Sequence, residues 1–214
     1  MIEVKNLYLS YIKEYYALYN INLQVNNGER VAVLGDIESG KTTLLRSICG
    51  LEKIDKGEIY LNKINVKKVN FAKDLELVYL SNKPIFFENK SVFYNLSYVL
   101  KIRKVSENII NKKINNALKL LDIEYLKEKK IKELTDKEKL LVQLARAGLR
   151  EASIYLIDDI FEYAELNHKI VEFLNTMINK EASCLFALSL SKEDLIEKLN
   201  IDKIIKLASG SIVK

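Results

Sequence analysis

The chain of 214 residues has one proline, seven glycines, two cysteines, one histidine and no tryptophan. So little proline and glycine excludes a Pro/Gly-rich linker, and no internal repeat or low-complexity tract is visible. The two cysteines, Cys49 and Cys184, sit in apolar stretches and read as buried free thiols of a reducing compartment, not as a disulfide framework. The single histidine, His168, falls on a polar helix face and reads as an exposed side chain. No apolar run approaches the ~20 residues that span a bilayer. The opening "MIEVKNLYLS" has no basic segment followed by an apolar one, so no secretory signal is expected. At the other end, "SGSIVK", no appended regulatory domain is expected.

What is present suits a single globular domain. Hydrophobic residues make up 49% and charged residues 29%, enough apolar material for one core. The formal net charge is +5, and from Asn89 to Glu133 there are 11 Lys/Arg against 5 Asp/Glu. This excess reads first as solvated helix faces; the alternative is attraction to an anionic membrane surface or a nucleic acid. No regular aromatic interleaving accompanies the basic residues, the aromatics of this stretch being only Phe93, Tyr94, Tyr98 and Tyr125, which argues against a nucleic-acid platform.

Short strands are expected at "IEVKNLYL", "INLQV", "RVAVL", "GEIYL" and "VYL" near Leu80. From Ser91 to Leu121 the apolar period becomes helical, through Val92, Leu96, Val99, Leu100, Ile109, Ile110, Ile114, Leu118 and Leu121. Helices are then expected over Asp136–Arg150, Val171–Ile178 and Lys192–Leu199, alternating with the strands "SIYLID", "SCLFALS" and "DKIIKLA". Strand–helix alternation predicts an α/β fold built on a parallel sheet. One domain, 1–214, is expected, with a core of 1–85 and 134–214 and an inserted α-helical subdomain at 86–133.

Gly35-Asp36-Ile37-Glu38-Ser39-Gly40-Lys41-Thr42 fits G-x-x-x-x-G-K-[ST], follows a strand and opens a helix. Its glycines let successive N–H groups curl inward, and the helix N-terminus adds a positive dipole end, which suits a phosphate. Lys41 is placed to reach β- and γ-phosphates, and the Thr42 hydroxyl to ligate Mg²⁺. A buried strand ending in acid, "SIYLIDD", supplies Asp158 for the metal and Asp159 for an attacking water. The expected ligand is Mg-ATP, held by Gly35, Glu38, Ser39, Gly40, Lys41, Thr42 and Thr43.

At this point the chain resembles the ATP-binding subunit of ABC transporters over nearly its whole length. "ALYNINLQVNNGERVAVLGDIESGKTTLLRSICGLEKIDKGEIYLN" is similar to that family's N-terminal half, "PIFFENKSVFYNLSYVL" to the entry of its helical subdomain, and "ELTDKEKLLVQLARAGLREASIYLIDDIF" to its signature helix and acidic strand. The resemblance implies a P-loop NTPase core with an N-terminal antiparallel β part. It also implies a dimer sandwiching ATP, a membrane-spanning permease partner and a place at the cytoplasmic face of the membrane. It puts Asn82 where the family has a metal-sensing glutamine, and a base-stacking aromatic at Tyr11, with Tyr15 and Tyr16 as rivals. A permease is expected to dock around Asn82–Asn95.

The departures are informative. Glu38 stands where the family has glycine, and the signature Leu-Ser-Gly-Gly-Gln reads Leu134-Thr135-Asp136-Lys137-Glu138. The catalytic glutamate is Asp159, and no histidine follows "CLFAL". T-x-x-E at Thr135–Glu138 is a capping box, with two acids set against a helix dipole end. The reading is an ATP-binding subunit with impaired hydrolysis; the alternative is a non-catalytic ATP-binding regulatory or scaffold module. A soluble P-loop kinase lacks an acceptor-binding or lid segment.

Overall fold

A computed structural model describes residues 1–12, 15–69 and 76–213. The described chain divides into two compact units, Met1–Tyr79 with Ala152–Asp159 and Ile178–Lys214, and Leu80–Glu151 with Ile160–Met177.

In the first unit, β1 (Ile2–Ile12) and β2 (Tyr15–Val25) form a long antiparallel pair. β4 (Lys56–Leu61) and β5 (Ile64–Asn65) extend it into a four-stranded sheet ordered β2-β1-β4-β5. Alternation sets its faces: Ile2 and Val4 on β1, and Ile21, Leu23 and Val25 on β2, are buried, while Glu3, Asn22 and Gln24 between them are not. Each such aliphatic side chain, fully buried, contributes about 1.5–3 kcal/mol. The expected strand "INLQV" is thus only the second half of β2.

The second sheet is ordered β10-β9-β3-β8-β7-β6. Its parallel centre is β3 (Arg30–Leu34), β7 (Ile154–Asp158), β8 (Ser183–Leu188) and β9 (Lys203–Ala208), with β10 (Ser211–Val213) antiparallel to β9. β6 (Leu77–Ser81) lies at the edge, its first three residues in this unit. β7 and β8 are buried at every position, which explains their unbroken apolar runs. α1 (Lys41–Ile48) buries Leu44, Leu45 and Ile48. Near the C-terminus the helix expected over Lys192–Leu199 is a 3₁₀ turn, Leu190–Lys192, followed by the short α6 (Leu195–Lys198). Cys49 and Cys184 are free and buried, and burial pushes each thiol up to about 12.

The second unit packs α2 (Val92–Lys101), α3 (Glu107–Leu120), α4 (Asp136–Gly148) and α5 (Asn167–Met177). It is wider than the expected 86–133 segment because the apolar stripe of α2 and α3, including Leu96, Leu100, Ile110 and Ile114, needs a partner surface. α4 packs against both helices and itself buries Leu140, Leu141 and Leu144. α5 begins four residues before the expected Val171. No helix among the described residues is long and apolar enough to cross a membrane.

Candidate phosphate and metal site

β3 delivers the chain, fully buried, to Gly35 at the sheet's C-terminal edge. The Gly35 amide donates to Leu188 O at 3.2 Å, and an added Cβ would lie 2.4 Å from Leu207 O, so only glycine fits. The loop turns back through Ser39 N–H to Asp36 O, 3.2 Å, and is tied to the β9–β10 turn by Gly210 N–H to Ser39 O, 3.0 Å. Gly40 is the N-cap of α1 with φ +101, and a Cβ there would meet Ala17 O at 2.8 Å. No side chain caps this helix and its first turn holds no acid, so its leading amides are left for an anion.

Lys41 is only 7% exposed, folded into its own loop. Its Nζ donates to Gly35 O at 2.8 Å, Asp36 O at 2.7 Å and Ser39 Oγ at 3.2 Å. Burial lowers its pKa, opposed by Asp159, Asp158 and Asp36. The Thr42 hydroxyl donates to Asp158 Oδ1 at 3.0 Å, and the Tyr79 hydroxyl to Asp158 Oδ2 at 2.8 Å. Burial raises the Asp158 carboxyl above the usual range, against those two hydrogen bonds and the charges of Lys41 and Arg46. A buried carboxylate next to a hydroxyl is a hard oxygen pair, the donor chemistry Mg²⁺ prefers. Thr42 and Asp158 therefore fit that ion.

The other expected residues divide by unit. Tyr11 Oη donates to Thr43 Oγ1 at 3.4 Å, beside the loop, whereas Tyr16 is engaged edge-on with Tyr8 and Tyr19, and Tyr15 is largely exposed. Glu38 is exposed at φ +64, a left-handed conformation that suits glycine better than glutamate. Asp159 is half-buried at φ +46, with its amide on Ala187 O at 3.0 Å. His168 is exposed over 94% of its side chain.

Asn82 belongs to the helical unit, where it is exposed beside a cavity of about 340 Å³ that Asp136, Lys139 and Tyr163 also line. In that unit α4 begins with the capping box read from the sequence. Thr135 Oγ1 accepts the Glu138 amide at 3.3 Å, and Glu138 Oε2 accepts the Thr135 amide at 2.8 Å. The Thr135 backbone bond leads the causes that lower the Glu138 pKa. Lys137, in a family glycine position, pairs with Glu165 and lies 5.2 Å over the Tyr163 ring.

Three polar residues escape the sequence reading. Tyr79 offers no signal beyond its place in a strand. Gln143, 3% exposed, bonds both the N–H and the C=O of Ser81, at 3.1 and 2.7 Å. Arg146 donates to Ile85 O at 2.8 Å and stacks on Phe86 at 4.4 Å. An amide inside the apolar run "LLVQLA" was the available signal for Gln143.

A family model described as ABC transporter matches residues 18–162. A spermidine/putrescine import ATP-binding protein of Legionella pneumophila (strain Paris) is 36% identical over 160 residues, 74% of this chain and 43% of that protein. An sn-glycerol-3-phosphate import ATP-binding protein of Psychromonas ingrahamii is 28% identical over 214 residues, 99% of this chain and 56% of the relative. The chain thus spans about half the length of these curated relatives. Among solved structures, an ATP-binding subunit of an ABC transporter superposes with a TM-score of 0.86 at 22% identity, covering 99% of this chain and 88% of that one. A dimeric ATP-binding cassette in a post-hydrolysis state with ADP and Pi gives 0.85 at 22%, covering 100% and 97%. At these identities the two structures speak for the fold.

Proposed function

The chain belongs to the ABC transporter family, and on that premise we propose that it is the ATP-binding subunit of a membrane transporter, acting in a dimer and hydrolysing ATP slowly or not at all by itself. The observation that carries the binding half is the uncapped start of α1 with Lys41 inside its loop and Thr42 3.0 Å from a buried Asp158. The amides of α1 and the Lys41 ammonium would bind and orient the β- and γ-phosphates. Thr42 and Asp158 would hold Mg²⁺, which supplies charge neutralisation at the same phosphates when bound. Tyr11, nearest the loop of the three tyrosine candidates, would stack on the base.

The hydrolytic half is weak for two reasons. Asp159 is one methylene shorter than glutamate, about 1.5 Å of lost reach, and a general base must come within roughly 2.6–3.2 Å of its water. The signature helix spends its leading amide on Thr135 and adds Asp136 and Glu138 to a dipole end of about +0.5. That closed cap is the one observation favouring the second reading, a non-catalytic ATP-binding regulatory or scaffold module.

A permease would dock on the Asn82–Asn95 segment of the helical unit, where Phe87 is 47% exposed and packs edge-on against Tyr94 and Tyr98. The two relatives are named for importing unlike solutes, a polyamine and a glycerol phosphate. This supports an importer whose membrane subunit, not this chain, selects the cargo. Calorimetry tests the site: Lys41→Ala should weaken ATP binding by at least about a hundredfold, since bonds to charged groups are worth about 1.5–3 kcal/mol each. Equal affinity in wild type and variant would overturn the assignment. Co-purification of a multi-span membrane protein separates the transporter reading from the scaffold reading.

A further inference from the structure

The formal charge of +5 has a single address. Residues 101–120 hold Lys101, Arg103, Lys104, Lys112, Lys113 and Lys119 against Glu107 alone, a local excess of +5 that leaves 28 basic and 28 acidic residues in the rest of the chain. All six cations are exposed. Among the described residues, none of the five lysines is in an ion pair, and the nearby Asp122 is occupied by Lys169 at 2.7 Å.

Helix geometry organises these charges. α3 buries Ile110, Ile114, Ala117 and Leu118 and turns Ile109, Lys112, Lys113, Asn116 and Leu120 outward at helical spacing. Ile109 and Leu120 bracket the lysines and are 50% and 64% exposed; at the α2–α3 corner Ile102, between Lys101 and Arg103, is 63% exposed. The surface is therefore cationic with isolated aliphatic side chains standing among the ammonium groups. Like charges so placed repel one another, and of the acids nearest α3, Glu107 stands alone in the stretch while Asp122 is paired with Lys169.

We propose that this exposed flank of the α2–α3 hairpin is a lipid-contact surface that docks on the anionic headgroups of a bilayer. Lysine ammoniums act as point charges without directional demand and sum their attraction to a negatively charged leaflet. The exposed Ile102, Ile109 and Leu120 match the shallow apolar insertion of interfacial helices. Residues 101–120 contain no aromatic side chain on which nucleic-acid bases could stack, and the exposed rings of α2, Tyr94 and Tyr98, are engaged edge-on by Phe87. The contact does not require nucleotide or a permease, so it can fail or stand apart from the ATP-binding reading.

The test is co-sedimentation of the purified chain with vesicles of phosphatidylcholine alone and of phosphatidylcholine mixed in equal parts with phosphatidylglycerol, at low and high salt. Binding is expected only to the anionic vesicles, and high salt should release it. The quadruple substitution Lys101→Gln, Lys104→Gln, Lys112→Gln, Lys113→Gln should weaken it by at least about a hundredfold. Four exposed lysines of the other unit changed in the same way, Lys53, Lys56, Lys67 and Lys203, should leave it nearly intact. Circular dichroism establishes that both variants fold; should the quadruple variant fail, Lys112→Glu with Lys113→Glu on the exposed side of α3 serves in its place. Equal binding to neutral vesicles, equal loss in the two lysine sets, or tighter binding to a single-stranded oligonucleotide at matched salt would overturn the proposal.

Discussion

Two helices of this chain start with opposite chemistry. α1 begins at Gly40 with no capping side chain and no acid in its first turn, and its amides are left over. α4 begins at Thr135 with a reciprocal cap and two acids, Asp136 and Glu138, and the amides of Thr135 and Glu138 are used internally. The dipole of about half a charge is the same at both ends. What differs is whether the sequence saturates it. A helix N-terminus is an anion site only where the chain leaves it unsaturated, and gaining a cap means losing the site.

The sharpest test of that contrast lies in hydrolysis. Isolated chain should turn over ATP well below the ordinary enzyme median of about 10 s⁻¹. Asp159→Glu should raise the rate by about tenfold or more, toward the 10²–10⁴ that general-base catalysis contributes, while Asp159→Asn leaves it unchanged. No gain from Asp159→Glu would shift the blame to the α4 cap, and Asp136→Gly would be the next variant to assay. Turnover near the median in wild type would break the comparison, since it would require the capped helix to function as an open one.

A smaller effect is expected in stability. Thr135→Ala removes half of the capping box and should cost about 1 kcal/mol, or a melting shift of roughly 2–4 °C for a chain of this size. ATP affinity of the isolated chain should not move. A loss of affinity equal to that of Lys41→Ala would mean the two termini are not independent.

The smallest effect concerns pH. Because burial raises the folded-state pKa of Asp158, its ionised form is disfavoured in the fold. Its favourable contribution is complete below the ordinary carboxylate value and is lost as pH rises through the raised one. Asp158→Asn should therefore raise the melting temperature at neutral pH while abolishing Mg²⁺-dependent ATP binding, and the gain should fade in acid. A variant that melts lower than wild type at neutral pH would show that the Thr42 and Tyr79 hydrogen bonds outweigh the desolvation.

The same contrast explains what could be read in advance. Gly35–Thr42 was legible because its chemistry is local: two glycines, a lysine and a threonine at fixed spacing between a strand and a helix. The capping box at Thr135–Glu138 was legible for the same reason. Tyr79 on Asp158 was not, since the two are brought together by the sheet and no spacing in the chain encodes it. The width of the second unit was not legible for a related reason: periodicity marks α2 and α3 as amphipathic but does not say that α4 packs against them. At Glu38 the sequence showed only a departure from the glycine the family has, and the φ of +64 supplies the physical reason a glycine suits that position.

Gln143 and Asn95 treat the ends of the segment between them as if they were neighbouring strands. Gln143 takes both backbone groups of Ser81; Asn95 takes both of Phe87, at 2.8 and 3.2 Å. Both amides are nearly fully buried, so a misplaced end would strand polar atoms away from water. The span between them is thereby held to a fixed number of residues, although Asn82 and Lys83 face solvent and make few demands on residue type. Length and composition come apart here. Exchanging Asn82-Lys83-Pro84 for another tripeptide should leave thermal melting almost unchanged, whereas deleting one of the three should cost as much as losing a buried hydrogen-bonded amide, about 1–3 kcal/mol. On the proposed docking role, such a segment could change whom it addresses without changing how firmly it is mounted.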